Sequence, residues 1–156
     1  MVQTFILSFI LVLSILPQVS ATDLRGALEA SASGLRAQSA RLKMHAENIA
    51  NADSILTEDG EAYRKKQAIM VTKVNRKTGL NEVVLERIVE DTRTPLKQIY
   101  DPNHPLADDN GMLTYSNVTT LTESADMRRA SRMYEANMQA IEVSKEMLTR
   151  TVQMLR

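Results

Sequence analysis

Residues 121–156 read LTESADMRRASRMYEANMQAIEVSKEMLTRTVQMLR and decide the fold. Large apolar residues recur in this stretch every seven positions, and a small or polar residue follows each by three. The first line is Met127, Tyr134, Ile141, Leu148 and Leu155, and the second is Ala130, Asn137, Ser144 and Thr151. The pattern predicts one uninterrupted helix, and we call its line of large apolar residues the seam. At 1.5 Å per residue it would be about 50 Å long, too long for a small domain to cover, so we expect it to need a partner.

The start of this helix carries its own signal. Thr120 is followed three residues later by Glu123, which is the spacing of a capping box. Asp126 adds negative charge near the positive end of the helix dipole. We therefore expect Glu123 and Asp126 to be dipole-matched or solvated charges.

A second helix is predicted near the N-terminus, from about residue 23 to residue 52. Its seam consists of Leu28, Leu35, Leu42 and Ile49, with Ala32, Ser39 and Ala46 beside it. Such a stripe is equally typical of a helical-hairpin core and of an assembly surface. Gly34 costs about 1 kcal/mol relative to Ala in mid-helix, which fits a neighbouring backbone passing close by. His45 is expected to be a packing residue rather than a ligand.

The first twenty-one residues resemble a signal peptide. They carry no charge, and an apolar run from Phe5 to Leu16 precedes the small-residue sequence Val19-Ser20-Ala21. The run is too short to span a bilayer, so cleavage after Ala21 is expected. Two alternatives stay open, an uncleaved anchor and a start codon placed too early, because the usual basic residue is missing.

The middle of the chain is predicted to be rich in β-structure. Residues 62–74 and 82–89 are typical of strands, and residues 75–79 between them are typical of a hairpin loop. A third extended piece is expected over residues 96–100. These pieces would form one small β unit that depends on the flanking helices for stability. Residues 101–111 are expected to be a plain loop.

The fold class that follows is mostly α with a small β insert, in which long N- and C-terminal helices pair as a coiled coil. We divide the chain into a leader (1–21), an N-terminal helix (22–53), a β-rich middle segment with its loop (54–117) and a C-terminal helix (118–156).

Composition argues against several functions. Nineteen acidic residues balance nineteen basic ones, so no charge excess favours nucleic acid. Cysteine is absent, which removes disulfides and thiolate chemistry. The sequence shows no paired histidines, phosphate-binding loop or nucleophile-and-base spacing. We therefore predict no catalytic, cofactor-binding or metal-binding residues and no small-molecule substrate.

Two groups of motifs resemble a known family. Ser33-Gly34-Leu35-Arg36-Ala37-Gln38 and Glu47-Asn48-Ile49-Ala50-Asn51-Ala52-Asp53 are similar to the N-terminal signature of bacterial flagellar rod and hook proteins. Residues 100–105, YDPNHP, with Asn117-Val118 and residues 130–137, ASRMYEAN, resemble its proximal-rod members. The resemblance runs from about residue 24 to residue 156.

The resemblance implies a structural subunit of the proximal rod, the driveshaft that crosses the periplasm within the flagellar basal body. It further implies that the terminal helices pack on each other and on neighbouring subunits in a tube. The implied partners are proximal and distal rod subunits, the adaptor to the membrane ring and export gate, and the flagellar export apparatus. A generic periplasmic coiled-coil scaffold is the alternative, because periodicity and a leader would be enough for it.

We predict a subunit interface along both seams and at three asparagines, whose amides would fix the register of the helices. Its residues are Leu28, Leu35, Leu42, Asn48, Ile49, Asn51, Met127, Tyr134, Asn137, Ile141, Leu148 and Leu155. One departure concerns export, since family members are usually delivered by the type III exporter and lack a cleavable leader. The leader leaves the export route open.

Overall fold

Two long helices frame the chain in a computed structural model, which describes residues 21–55, 62–76 and 78–154. Helix α1 spans Ala21–Ala50 and helix α2 spans Thr120–Met154. Four strands lie between them: β1 (Lys66–Val74), β2 (Asn81–Glu90), β3 (Lys97–Tyr100) and β4 (Met112–Tyr115). The prediction of two terminal helices around a small β insert is confirmed. Apart from Ala21, which begins α1, the predicted leader lies outside the described residues.

The two helices pack against each other in antiparallel directions. A Cβ placed on Gly34 would lie 2.8 Å from Nδ2 of Asn137, and Nδ2 of Asn48 donates a hydrogen bond to Glu123. These two contacts are fourteen residues apart on each helix. The pairing therefore keeps one register over four turns, or about 21 Å.

Strands β1 and β2 form the predicted hairpin, which we call the ribbon. The strands are antiparallel, with Thr72 opposite Val83. Gly79 has a φ of 71°, which only glycine adopts without strain, and the backbone N–H of Asn75 donates to the carbonyl of Leu80 at 2.8 Å. The register shifts once along the ribbon and leaves Glu86 of β2 as the extra residue of a bulge.

The expectation of one β unit is wrong, because the strands form two separate two-stranded sheets. Strand β3 pairs with β4, with Ile99 opposite Leu113, and not with the ribbon. The loop between β3 and β4 returns at Gly111, whose φ is 73°. A Cβ on Gly111 would lie 2.9 Å from Cβ of Pro102, so a larger residue would not fit the loop.

A small core lies where the middle segment meets the helices. Ala52, Tyr63 and Val118 form one buried cluster, and Leu113 of β4 is also buried. Strands and helices meet here because Tyr63 precedes β1, Ala52 follows α1 and Val118 precedes α2. This core holds the polar junction described below.

In the part of the chain that the structure describes, neither helix is sufficiently apolar over a long enough stretch to cross a membrane. Among the same residues, no group of His, Asp and Glu side chains is arranged to hold a metal ion.

Candidate assembly surface

Glu123, in the first turn of α2, is completely buried and lies at the centre of a polar junction. Its Oε2 accepts a hydrogen bond from Nδ2 of Asn48 at 3.0 Å and lies 2.7 Å from Nδ1 of His45. Its Oε1 lies 2.6 Å from Nζ of Lys65. A buried carboxylate is costly unless it is paired, and here α1 and the segment before β1 supply the partners. Glu123 therefore ties α2 to both.

Asn48 of α1 is the second member of the junction and is also completely buried. Its Oδ1 accepts hydrogen bonds from the hydroxyl of Tyr63 and the backbone N–H of Lys66, both at 2.9 Å. Its Nδ2 donates to the carbonyl of Lys66 at 2.9 Å as well as to Glu123. The amide thus bonds to β1 much as a neighbouring strand would. No apolar side chain could replace these four bonds.

Two opposing effects set the pKa of Glu123. Burial alone would raise it, but hydrogen bonds from Lys65, Asn48 and His45, together with the charge of Lys65, hold the pKa of this carboxyl below its usual value. Glu123 is therefore ionised in the folded chain at neutral pH. Its pairing with Lys65 is a true ion pair.

Tyr63 stays protonated and acts as a donor in the junction. Burial raises the pKa of its hydroxyl, and the carboxylates of Glu47, Glu90 and Glu123 raise it further. Because the proton is held so firmly, the hydroxyl donates to Asn48 at any physiological pH. The junction's donors and acceptors are consequently fixed.

Asn117 forms a second polar link beside the junction. Its Oδ1 accepts from the backbone N–H of Lys65 at 2.7 Å, and its Nδ2 donates to the carbonyls of Asp91 and Thr94 at 3.0 and 3.1 Å. These bonds join the entry to β1 with the exit from β2. Asn117 thus provides hydrogen-bond partners for three backbone groups that pair with it from different segments.

Two sequence predictions at the junction are wrong, and a third is right only in part. The Glu123 side chain bonds to Asn48 and its neighbours, so it does not complete a capping box with Thr120. Glu123 is buried rather than solvated, although it lies in the first turn of α2, where its charge matches the helix dipole. His45 contacts this carboxylate and is more than a packing residue. These contacts join residues more than fifty positions apart in sequence, so local spacing could not indicate them.

The described helices bury small and polar residues rather than the large seam. The buried residues of α1 are Gly26, Ser33, Ala37, Met44 and Asn48, and those of α2 are Glu123, Ala130 and Ser144. In α2 these residues follow the companion line of the heptad, with Asn137 against Gly34 on the same line. The feature that approaches Gly34 is this side chain and not a backbone. On α2 small residues let the helices come close, as the sequence predicted. On α1 the prediction is wrong, because Ala32 is half-buried and Ser39 and Ala46 are exposed, and α1 packs through a different line.

The large seam residues lie beside the helix contact and are only half-buried. This holds for Leu28, Leu35, Leu42, Ile49, Met127, Tyr134, Ile141 and Leu148. A groove of about 480 Å³ opens between Leu42 and Met127. Each half-covered side chain could still bury apolar area against a partner. This surface, the seam face, remains our predicted interface.

The asparagines among the predicted interface residues differ in their surroundings. Asn48 already uses its amide within the chain, whereas Asn51 and Asn137 are half-buried. Nδ2 of Asn51 donates to the carbonyl of Glu47 at 2.9 Å and so closes the last turn of α1. Leu155 lies outside the described residues.

Comparison with known proteins decides the family. Residues 28–54 match the family model described as flagella basal body rod protein, and residues 109–154 match the model described as flagellar basal body rod FlgEFG protein C-terminal. The flagellar basal-body rod protein FlgC of Agrobacterium fabrum is 37% identical over 134 residues, covering 85% of this chain and 96% of that protein. This chain belongs to the FlgC family.

Other FlgC relatives agree with this assignment. The FlgC protein of Salmonella typhimurium is 37% identical over 120 residues, which cover 77% of this chain and 89% of that protein. The FlgC protein of Buchnera aphidicola subsp. Acyrthosiphon pisum is 34% identical over 122 residues, or 77% and 89% of the two chains. The resemblance inferred from the motifs is confirmed.

The matched segments of this FlgC-family chain contain both halves of the junction. Asn48 lies in the first segment and Glu123 in the second, while the ribbon lies between the two. The family signature at residues 47–53 is thus placed where α1 ends and hydrogen-bonds to β1. Glu47, Asn48 and Asn51 of that signature bond within the chain.

Sequence reasoning missed a second apolar line on α2 of this FlgC-family chain. Met133, Ala140, Met147 and Met154 also recur every seven residues, one position before the Tyr134 line. Met133 and Met147 are each 51% exposed. We call this line the methionine stripe. Its spacing was visible in the sequence, but the larger aromatic and aliphatic residues of the neighbouring line gave the stronger signal.

Proposed function

We propose that this chain is a structural subunit of the proximal rod of the flagellar basal body. It polymerises through its terminal helices and helps to form the shaft that transmits torque across the periplasm. The supporting observation is that α1 and α2 leave their large seam residues only half-buried, in a chain that matches FlgC proteins over most of their length. The seam face and the methionine stripe are then free for neighbouring subunits.

The chain is a structural protein rather than an enzyme, in keeping with its relatives, which are rod proteins by name. The generic scaffold is disfavoured for the same reason. A generic scaffold would not be expected to share 37% identity with a rod protein over 96% of that protein's length.

The predicted coiled-coil pairing of the helices is part of the proposal. Two contacts, Gly34 with Asn137 and Asn48 with Glu123, support it because they recur after fourteen residues on both helices. Fourteen residues are two heptads, which is the repeat of a supercoiled pair and not of straight helices. A helix pair of this kind is stiff, as a shaft requires.

The subunit interface we propose consists of the predicted seam residues, from Leu28 to Ile49 on α1 and from Met127 to Leu155 on α2. Asn51 and Asn137 take part directly. Asn48 acts indirectly, because its amide holds α1 against β1 and so sets the angle at which the seam is presented. The seam gains free energy only when a neighbouring subunit covers it.

Membership of the family implies assembly with other basal-body components. The partners we propose are proximal and distal rod subunits, the adaptor between membrane ring and export gate, and the export apparatus during delivery. The location we propose is the rod within the periplasm.

Deletion of the gene tests this function. We expect non-motile cells whose basal bodies, viewed by electron microscopy, stop before a complete rod. A plasmid copy of the gene should restore both rods and swimming. Complete rods and normal swimming in the deletion strain would refute the proposal.

A further inference from the structure

The ribbon has two uncovered apolar faces. Val83 and Val84 are adjacent in β2 and therefore point to opposite faces, yet they are 39% and 36% exposed. The backbone N–H of Val83 donates to Oγ of Ser33 at 3.2 Å, so the ribbon meets α1 through the outer edge of β2. Among the described helices and strands, the ribbon contacts only α1. A two-stranded ribbon of this kind is marginal on its own and gains stability when a face is covered.

The methionine stripe is the second uncovered apolar surface. Val143 lies beside the stripe and is 49% exposed. Helix α2, like the ribbon, contacts only α1 among the described elements. Flexible methionines suit a surface that adapts to another shape.

The ribbon face that carries Ile88 is flanked by acidic residues, and the methionine stripe is flanked by basic ones. Arg87 points to the other face of the ribbon, because it lies opposite Ile69 whereas Ile88 lies opposite Ala68. Arg129 and Arg132 flank the methionine stripe, and Glu86 and Glu90 flank Ile88 on β2. All four charged residues are exposed, and none forms an ion pair within the described residues. Opposite charges at the rims of two apolar surfaces favour their association and fix its orientation.

We infer that the ribbon of one copy docks on the methionine stripe of a second copy of this chain. Ile88 packs against the stripe near Met133 and Val83 lies near Val143, and this places Glu86 and Glu90 within reach of Arg132 and Arg129. This inference rests on the proposed function and names one contact through which polymerisation occurs. The lengths agree, because residues 83–88 span about 17 Å of strand and residues 133–143 span about 15 Å of helix.

The occupant is a second copy because each chain carries both complementary surfaces. Two different patches on one chain make a heterologous contact, which does not close on itself as a two-fold dimer does. It propagates into a ring or an open helical array. A rod is an array of this kind.

Cross-linking in assembled basal bodies tests the inference. The chain has no cysteine, so Ile88→Cys and Met133→Cys can be produced as two differently tagged copies in the same cells. After isolation of basal bodies and oxidation, we expect a mixed cross-linked product at least about tenfold above a control pair. The control combines Ile88→Cys with Glu135→Cys, because Glu135 is exposed and points about 160° away from Met133 around α2.

Charge reversal provides a second measurement. Glu86→Lys with Glu90→Lys, and separately Arg129→Glu with Arg132→Glu, should each lower incorporation into basal bodies about tenfold through like-charge repulsion. All four changes in one chain should restore incorporation to within about threefold. The matched control, Glu135→Lys with Glu142→Lys on the solvent side of α2, should leave incorporation unchanged.

The outcomes separate this inference from the proposed function. Basal bodies that lack the unaltered chain contradict the proposed function. Basal bodies that contain both cysteine variants but show no mixed product above the control overturn only the ribbon contact. Cross-linking of Ile88→Cys to a different rod protein, or failure of the fourfold variant to recover, also overturns it.

Discussion

The two ends of the helix pair differ in how completely the chain satisfies its own groups. At the junction, Glu123 and Asn48 are completely buried and their polar atoms are paired within the chain. At the far end of α2, Val152 and Met154 are 59% and 79% exposed. A buried polar network holds the helices in one geometry, whereas exposed apolar residues can still be buried by a partner protein. The chain thus fixes its shape at one end and keeps the other available.

If this comparison is right, removing Glu123 should have the largest effect on the isolated chain. Glu123→Ala leaves Lys65 and His45 without their partner and should lower the free energy of unfolding by about 3 kcal/mol. Partial exposure of both partner side chains keeps the loss at the lower end of the range for buried pairs. Urea denaturation measures it. Glu135→Ala, at an exposed site on the same helix, is the control, and a loss equal to the control's would contradict the junction's role.

Asn48→Ala should rank next, with a loss of about 2 kcal/mol. The change removes four hydrogen bonds and leaves the backbone groups of Lys66 without partners. Asn51→Ala serves as a comparison, since its amide donates to one carbonyl and is half-buried. Equal losses for the two asparagines in the same denaturation experiment would argue against the special position of Asn48.

Acid should weaken the junction before the rest of the molecule. The pKa of Glu123 is lower in the folded chain than its ordinary value of 4.5, so its stabilisation is fully present above that value. As pH falls through the folded pKa, Glu123 takes up a proton and the contribution is lost. The unfolding free energy of the natural chain should therefore fall more steeply below pH 4.5 than that of Glu123→Gln. Parallel pH profiles would count against an ionised Glu123.

Gly34→Ala tests whether the contact between Gly34 and Asn137 contributes to stability. The added methyl group would lie 2.8 Å from the amide of Asn137, so that side chain must move and about 1 kcal/mol should be lost despite the better helix propensity of alanine. A double-mutant cycle with Asn137→Ala should recover at least about 0.5 kcal/mol. Additive losses would mean that the two residues do not hold the register.

The smallest effect on the isolated chain is expected at the methionine stripe. Met147→Asp changes a half-exposed side chain and should alter the unfolding free energy by no more than about 0.5 kcal/mol. Incorporation into basal bodies should nevertheless be lost, because a carboxylate would have to be buried in the contact. Gln139→Asp, at an exposed polar site, is the matched control. Normal motility with Met147→Asp would show that the stripe is not used.

Much of the molecule was predictable from local sequence signals. Helices α1 and α2 begin and end within a few residues of their predicted bounds, because heptad spacing repeats through each of them. The ribbon was predicted from β-branched runs around a turn with glycine. Strand β4 was missed, since four residues after a turn-rich loop carry too little pattern to be recognised.

Sequence alone determined that the chain has two long helices, each with a line of apolar residues, on either side of a β insert. It could do so because the spacing of apolar side chains along a helix or strand is a local property of the sequence. Only the tertiary structure decided which line each helix buries, and that Glu123, His45, Asn48 and Lys65 meet. These choices depend on residues that lie far apart in the chain and come together only when α2 returns against α1. The free energy of burying the Glu123 charge depends on these distant partners and not on the residues next to Glu123 in sequence.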